Sequence, residues 1–226
     1  TRFIAPEGPK HNWPLQRGFD HYFGTLAGAG SYFTPSTLTL GNDPAEPPGE
    51  SFYYTDAIAE HSADYIAAHQ RDHPTEPFFL YVAFTAPHWP LHAPADAIAR
   101  YRGSYMKGWD QLRLERHQRM IETGLVDGAW PLTPRDTEAS AWEDVPATKR
   151  EEMDLRMAIY AAQIDIMDRG VGRVVEALRQ SGRLDNTLIL FMSDNGACAE
   201  TGPWGFDRKP IDRLGDDSSF SSYGLS

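Results

Sequence analysis

The stretch Thr187-Leu188-Ile189-Leu190-Phe191-Met192-Ser193-Asp194-Asn195-Gly196 decides the fold class. An almost wholly apolar run ends in a carboxylate, a carboxamide and a glycine. Such a run reads as a strand buried on both faces, the kind found in parallel sheets covered by helices. Ligands of open α/β sheets collect in the crevice beyond the carboxyl ends of these strands. Asp194 and Asn195 would stand there with hard oxygen donors suited to Ca2+ or Mg2+. Gly196 would allow a sharp turn and the close approach of a ligand. Taken alone, the same residues also describe a strand closed by an ordinary Asp-Asn-Gly turn, so the reading depends on their company.

Working backward from Thr187, a helix is expected from about Lys149 to Ser181, with Gly182 as its stop. Met153, Met157, Tyr160, Ile164, Met167, Val171, Val174 and Leu178 recur at steps of four and three, which predicts one continuous buried face. The methionines on it read as core rather than as a metal or cofactor site. Asp165 and Asp168 read as salt-bridged or exposed. A helix passing through a short loop into the Thr187 run is the second half of a βαβ unit.

A second run, Pro77-Phe78-Phe79-Leu80-Tyr81-Val82-Ala83-Phe84, is aromatic, β-branched and uncharged, again a buried strand. It leads directly into Thr85-Ala86-Pro87-His88-Trp89-Pro90-Leu91-His92-Ala93-Pro94. Prolines 87, 90 and 94 fix φ and remove three backbone donors, and they favour extended conformations at Ala86, Trp89 and Ala93. The expected result is a stiff, non-helical loop that holds His88 just beyond the strand, at the same sheet edge as Asp194. An imidazole there can donate to an anionic oxygen or carry a proton near neutral pH. His92 could support that site from behind or face a substrate.

Elsewhere the chain reads as helix over roughly 55–70, with Thr55 as cap, Asp56 in the first turn and Pro74 as terminator. Mixed charges over 110–123 predict an exposed helix ended at Gly124. Residues 1–50 carry little periodicity and read as loops around a rim. Thr201 to Ser226, rich in Gly, Asp and Ser, reads as a mobile border of a substrate pocket.

Five segments in order give a resemblance. They are Arg17-Gly18-Phe19-Asp20-His21-Tyr22-Phe23-Gly24, Gly28-Ala29-Gly30-Ser31-Tyr32-Phe33, and Tyr53-Tyr54-Thr55-Asp56-Ala57-Ile58. The other two are Ala86-Pro87-His88-Trp89-Pro90-Leu91 with Ala93-Pro94, and Met192-Ser193-Asp194-Asn195-Gly196. With these the chain resembles the sulfatases of the alkaline-phosphatase-like superfamily, near the bacterial arylsulfatases. The resemblance implies an α/β fold with a mostly parallel sheet flanked by helices, incomplete at both ends. It also implies hydrolysis of small-molecule or carbohydrate sulfate esters by a formylglycine nucleophile and a divalent cation, usually Ca2+ with Mg2+ possible. By the same resemblance Asp194 and Asn195 are metal ligands, Asp194 accepts a proton from the nucleophile, and His88 contacts the sulfate group. Preplaced donors and a metal suit an oxygen that is gathering charge.

The chain also departs from that pattern. It has no Cys/Ser-x-Pro-x-Arg motif, and its one cysteine, Cys198, lacks the Pro and Arg. The family's early Asp-Asp pair and its Gly-Lys-Trp-His segment are absent. Lys209 and Asp216-Asp217 lie in the wrong context to replace the family's later lysine or its acidic pair. Residues 1–226 are therefore expected to be the central part of a catalytic domain, inactive alone, with the nucleophile segment and a C-terminal part outside it. Two other readings stay open here. One is a phosphoric or phosphonic ester hydrolase of the same superfamily, which Asn195 disfavours; the other is a sulfatase-like binding protein without a nucleophile.

Composition sets outer bounds. The formal net charge of −11 argues against binding a phosphate backbone, which needs clustered Lys and Arg. A lone cysteine excludes an internal disulfide framework. No apolar run approaches the ~20 residues needed to span a bilayer. Compartment and oligomeric state are not legible.

Overall fold

The computed structural model describes residues 4, 5, 7–28 and 30–196. Within them, β1 (Phe23–Thr25), β2 (Leu38–Leu40) and β3 (Asp43–Pro44) precede four helices. These are α1 (Tyr54–Asp72), α2 (Ala95–Ala99), α3 (Gly108–Glu122) and α4 (Ala147–Gln180). Cys198, Lys209, Asp216, Asp217 and the tail from Thr201 lie outside the described residues.

Helix α4 organises the molecule by packing along α1. Ala158, Ile159, Ala162 and Ile166 on α4 are buried in one cluster with Tyr53, Ala86, Leu91 and Ile98. The face that packs differs from the stripe the periodicity predicts. Met157 is 41% exposed and Ile164 is 37% exposed, while Met153 and Leu178 are buried. Both sides of this helix are apolar, and the small residues lie on the side toward α1. A Cβ added to Gly170 would meet the Ala59 Cβ at 3.2 Å and the Phe84 ring at 3.4 Å. Two helices approach that closely only where side chains are short, so Gly170 faces α1, while Tyr160 and Met167 of the predicted stripe pack partly buried against the main cluster. Beyond the last turn Gly182 has φ +69°, a left-handed residue at the expected stop. Asp165 pairs with Arg100 at 2.9 Å and Asp168 is exposed, as the sequence indicated.

Helix α1 begins without the expected threonine cap. Tyr53 precedes it in an extended conformation and no side chain caps the end; Thr55 is buried in the first turn. The Tyr54 N–H instead donates to the Tyr32 carbonyl at 2.7 Å, so a tertiary contact serves one of the orphan donors of the helix start. Asp56 and Glu60 reach across to Arg173 of α4 at 3.4 and 3.1 Å. The exposed helix expected over 110–123 is α3, with Gly108 as its only buried residue.

The sheet corrects the sequence reading. Its order is β1-β2-β3 and both pairings are antiparallel, with Phe23 opposite Leu40 and Thr39 opposite Pro44. It forms in the first fifty residues, which read as loops. The two runs expected as buried parallel strands are extended, and neither joins a ladder among the described residues. Residues 77–84 alternate: Phe78, Leu80, Val82 and Phe84 turn inward while Phe79, Tyr81 and Ala83 are exposed. Val82 and Phe84 pack against Leu38, Phe52 and Ile58. That is a strand covered on one face. Residues 188–192 are exposed throughout, Leu188 at 85%. Apolar composition states what a segment would bury, not whether neighbours are present to bury it. Among the described residues, neighbours cover one face of 77–84 and leave the side chains of 188–192 exposed.

Candidate active site

Each candidate residue is carried by a different support. Asp194 and Asn195 follow the second extended run, and the Ser193 hydroxyl donates to the Asn195 carbonyl at 2.6 Å to close the turn. Both acidic-end residues are exposed. Gly196 has no positive φ, and a Cβ there would meet nothing within 4 Å. Neither a left-handed turn nor a close approach therefore requires glycine at 196 in this structure, contrary to expectation.

His88 sits in the loop the prolines dictate. The turn Thr85 to His88 is closed by the His88 N–H donating to the Thr85 carbonyl at 2.9 Å, and the Ala86-Pro87 and Trp89-Pro90 bonds are cis. The imidazole Nδ1 lies 2.7 Å from the Trp89 carbonyl oxygen. A carbonyl can only accept, so Nδ1 carries a proton and Nε2 is left for whatever enters the site. His92, by contrast, is fully buried between Tyr32 and Phe33, with ring centroids at 6.4 and 5.9 Å. It does not face a substrate.

The His88 loop and the Asp194-Asn195 turn line one cavity of about 1920 Å3. That exceeds the ~300–1,000 Å3 of small-molecule sites, because the space continues along the extended run 77–84. Sequence reasoning missed a further part of this wall. Arg156 of α4, its side chain only 8% exposed, pairs with Glu152 at 2.9 Å and lies over the Trp89 ring at 5.8 Å. Burial acts to raise the Glu152 carboxyl, but hydrogen bonds from Lys149 and Arg156 outweigh it and hold the group below its usual range. The available signal was an arginine on an otherwise apolar helix flank, four residues after a glutamate.

On the opposite wall His61 of α1 stacks on Phe23 with centroids 3.7 Å apart. Burial pulls its pKa down, against the pull of Asp64 and Glu60. Tyr22, behind it, is pushed well above the ordinary phenol value by burial and by Tyr54. Burial thus favours the neutral forms of both rings on this aromatic wall.

The donor set at that end was tested against a divalent cation. A carboxylate and a carboxamide are the right donors for a hard ion, but six to eight oxygens are needed to enclose Ca2+. No group of three or more His, Cys, Asp or Glu side chains assembles into a metal site among the described residues. Asp194 and Asn195 thus fit as part of a cation site and do not complete one. No helix among the described residues is long and apolar enough to cross a membrane.

Comparison with known proteins adds the family. A family model described as Sulfatase matches residues 4–215. An uncharacterized sulfatase of Schizosaccharomyces pombe is 31% identical over 94% of this chain and 42% of its own length. An arylsulfatase of Klebsiella aerogenes is 33% identical over 93% of this chain and 48% of its own. The chain therefore spans less than half the length of these relatives. Among solved structures, Ps i-CgsB in complex with k-i-k-neocarrahexaose superposes with a TM-score of 0.50 at 22% identity, over 79% of this chain and 32% of that one. The match takes in nearly the whole chain, including the His88 loop and the Asp194-Asn195 turn, and so the chain belongs to the sulfatase family.

Proposed function

We propose that this chain supplies the sulfate-gripping part of an enzyme that hydrolyses sulfate esters, of aryl or carbohydrate alcohols. The observation that carries the reading is the shared cavity of the His88 loop and the Asp194-Asn195 turn in a chain of this family. The likeness to an arylsulfatase supports the aryl preference.

In this reading Asp194 and Asn195 hold one side of a divalent cation, Ca2+ or Mg2+, which would offset charge gathering on the sulfate oxygens. The nucleophile that belongs to the reading is formylglycine, made from a Cys or Ser outside residues 1–226. Asp194 would accept the proton released as the attacking oxygen bonds to sulfur and the S–O bond to the departing alcohol breaks. His88 donates from Nε2 to an ester oxygen. Since Nδ1 already donates to Trp89, a ring that also donates from Nε2 must be the imidazolium.

The test uses the full-length protein and a chromogenic aryl sulfate. Asp194→Ala is expected to abolish measurable turnover and to lower the bound Ca2+. His88→Ala is expected to lower turnover about a hundredfold or more with metal content unchanged. Near-normal turnover in Asp194→Ala sinks the assignment. Loss of metal in His88→Ala contradicts the role given to that ring.

A further inference from the structure

The carbonyls of alternate residues in the histidine loop are each taken by a side chain from elsewhere in the fold. The Tyr32 hydroxyl donates to the His88 carbonyl at 2.9 Å. The Gln163 carboxamide nitrogen donates to the Pro90 carbonyl at 3.2 Å, and the Tyr53 hydroxyl to the His92 carbonyl at 2.9 Å. The three donors come from the turn after Gly30, from α4 and from the residue before α1. All three are buried, Gln163 completely.

Their arrangement has a physical cause in the sequence. Prolines 87, 90 and 94 leave the loop short of N–H donors, so little of it can pair with a strand, and within it only His92 stands in a backbone bridge among the described residues. Buried carbonyls still need partners. A fully buried carboxamide is costly to desolvate, and the Oε1 of Gln163 takes no hydrogen bond among the described residues. The bond to Pro90 is the one polar contact that Gln163 makes there. Arg156 adds a lateral contact over the Trp89 ring. The His88 ring itself is exposed and, among the described residues, its hydrogen bond is to the loop's own Trp89 carbonyl, so its orientation follows that of the loop.

We propose that Tyr32, Tyr53 and Gln163 are positioning residues for ester hydrolysis, acting through the backbone carbonyls of residues 88, 90 and 92 to aim the His88 imidazole at the ester oxygen. The proposal rests on the sulfatase reading above. A group held within a few tenths of an ångström of its working position loses rate when its support is loosened, even though it is chemically intact.

The test is a double-mutant cycle in the full-length protein with an aryl sulfate as probe. Tyr32→Phe and Gln163→Met keep the side-chain bulk and remove the donor. Each is expected to lower kcat about three- to tenfold, the scale of one lost hydrogen bond, with KM nearly unchanged. On a His88→Ala background the same substitutions are expected to change kcat by less than a factor of about two, since their target is gone. Bound metal should be unaffected throughout. Losses that multiply fully on the His88→Ala background, or an unchanged kcat in both single variants, overturn the brace and leave the sulfatase reading intact. If His88→Ala by itself leaves turnover unchanged, the reading and the brace fall together. Should Gln163→Met lower the melting temperature sharply, Tyr32→Phe and Tyr53→Phe decide the question at matched folded fraction.

Discussion

The two extended runs carry no charge and are more apolar than the α1–α4 layer, yet the layer is buried along its contacts and the run 188–192 is exposed. Along α4 the residues Ala158, Ile159, Ala162 and Ile166 are 2% exposed or less. Along 188–192 the side chains are 49–85% exposed. A helix satisfies its own backbone and needs only a neighbour for one face, which α1 provides. An extended run must find partners for its backbone at two edges and for its side chains at two faces. The difference teaches that an apolar pattern is a demand, and that strands make a larger demand than helices. Residues 77–84 stand between the limits, since Val82 and Phe84 pack on Leu38, Phe52 and α1 while Phe79 and Tyr81 stay outward.

The comparison can be broken most forcefully inside the helical layer. Ile159→Ala should cost about 2–5 kcal/mol, the range for a large aliphatic truncated in a closed core. Chemical denaturation of the 226-residue chain measures it, and a cost below about 1 kcal/mol would mean that the layer is loosely packed.

A smaller effect is expected at the edge of that layer, where His61 stacks on Phe23. Its pKa is held below the ordinary 6.5 by burial, so the unfolded chain binds this proton more readily than the folded one. Stability then rises with pH across the interval just below 6.5 and declines on acidification through it. The melting temperature from pH 7.5 to 5.0 should show that slope, and His61→Gln should flatten it. A slope unchanged in the variant would assign it to other groups.

The smallest effect belongs to the exposed run. Leu188→Ser should shift the unfolding midpoint of the 226-residue chain by no more than about 0.5 kcal/mol, as for other surface positions. The same substitution in the full-length protein sharpens the contrast. A cost of about 2 kcal/mol or more there would show the run covered by the rest of the protein.

Much of the site was legible because its signals are local. Three prolines around His88 announced a stiff loop, and the structure has one, with Nδ1 of the ring held by the loop itself. The Asp194-Asn195 turn follows from chemistry written in consecutive residues. Arg156 and Gln163 were not legible in the same way. Each is a polar residue on a helix whose apolar stripe could be drawn on either side, and only contact with Trp89 and Pro90 gives it meaning. The choice of stripe failed for the same reason: periodicity finds an apolar face, and it cannot say which of two faces meets a close neighbour.

The sequence by itself determined the helices over 54–72, 108–122 and 147–180, the glycine stop at 182, the proline-framed histidine loop, the candidate pair Asp194-Asn195 and the family. Those follow from residue-to-residue chemistry over short spans, where propensity, capping and proline geometry act. The tertiary structure decided that Gly170 and Ala59 set the helix spacing, and that Tyr32 rather than a threonine serves the start of α1. It also decided that His92 is core, and that the strand-like runs join no ladder among the described residues. Each of these depends on which surfaces meet across long stretches of chain, and burial is a property of the pair of surfaces, not of either sequence alone.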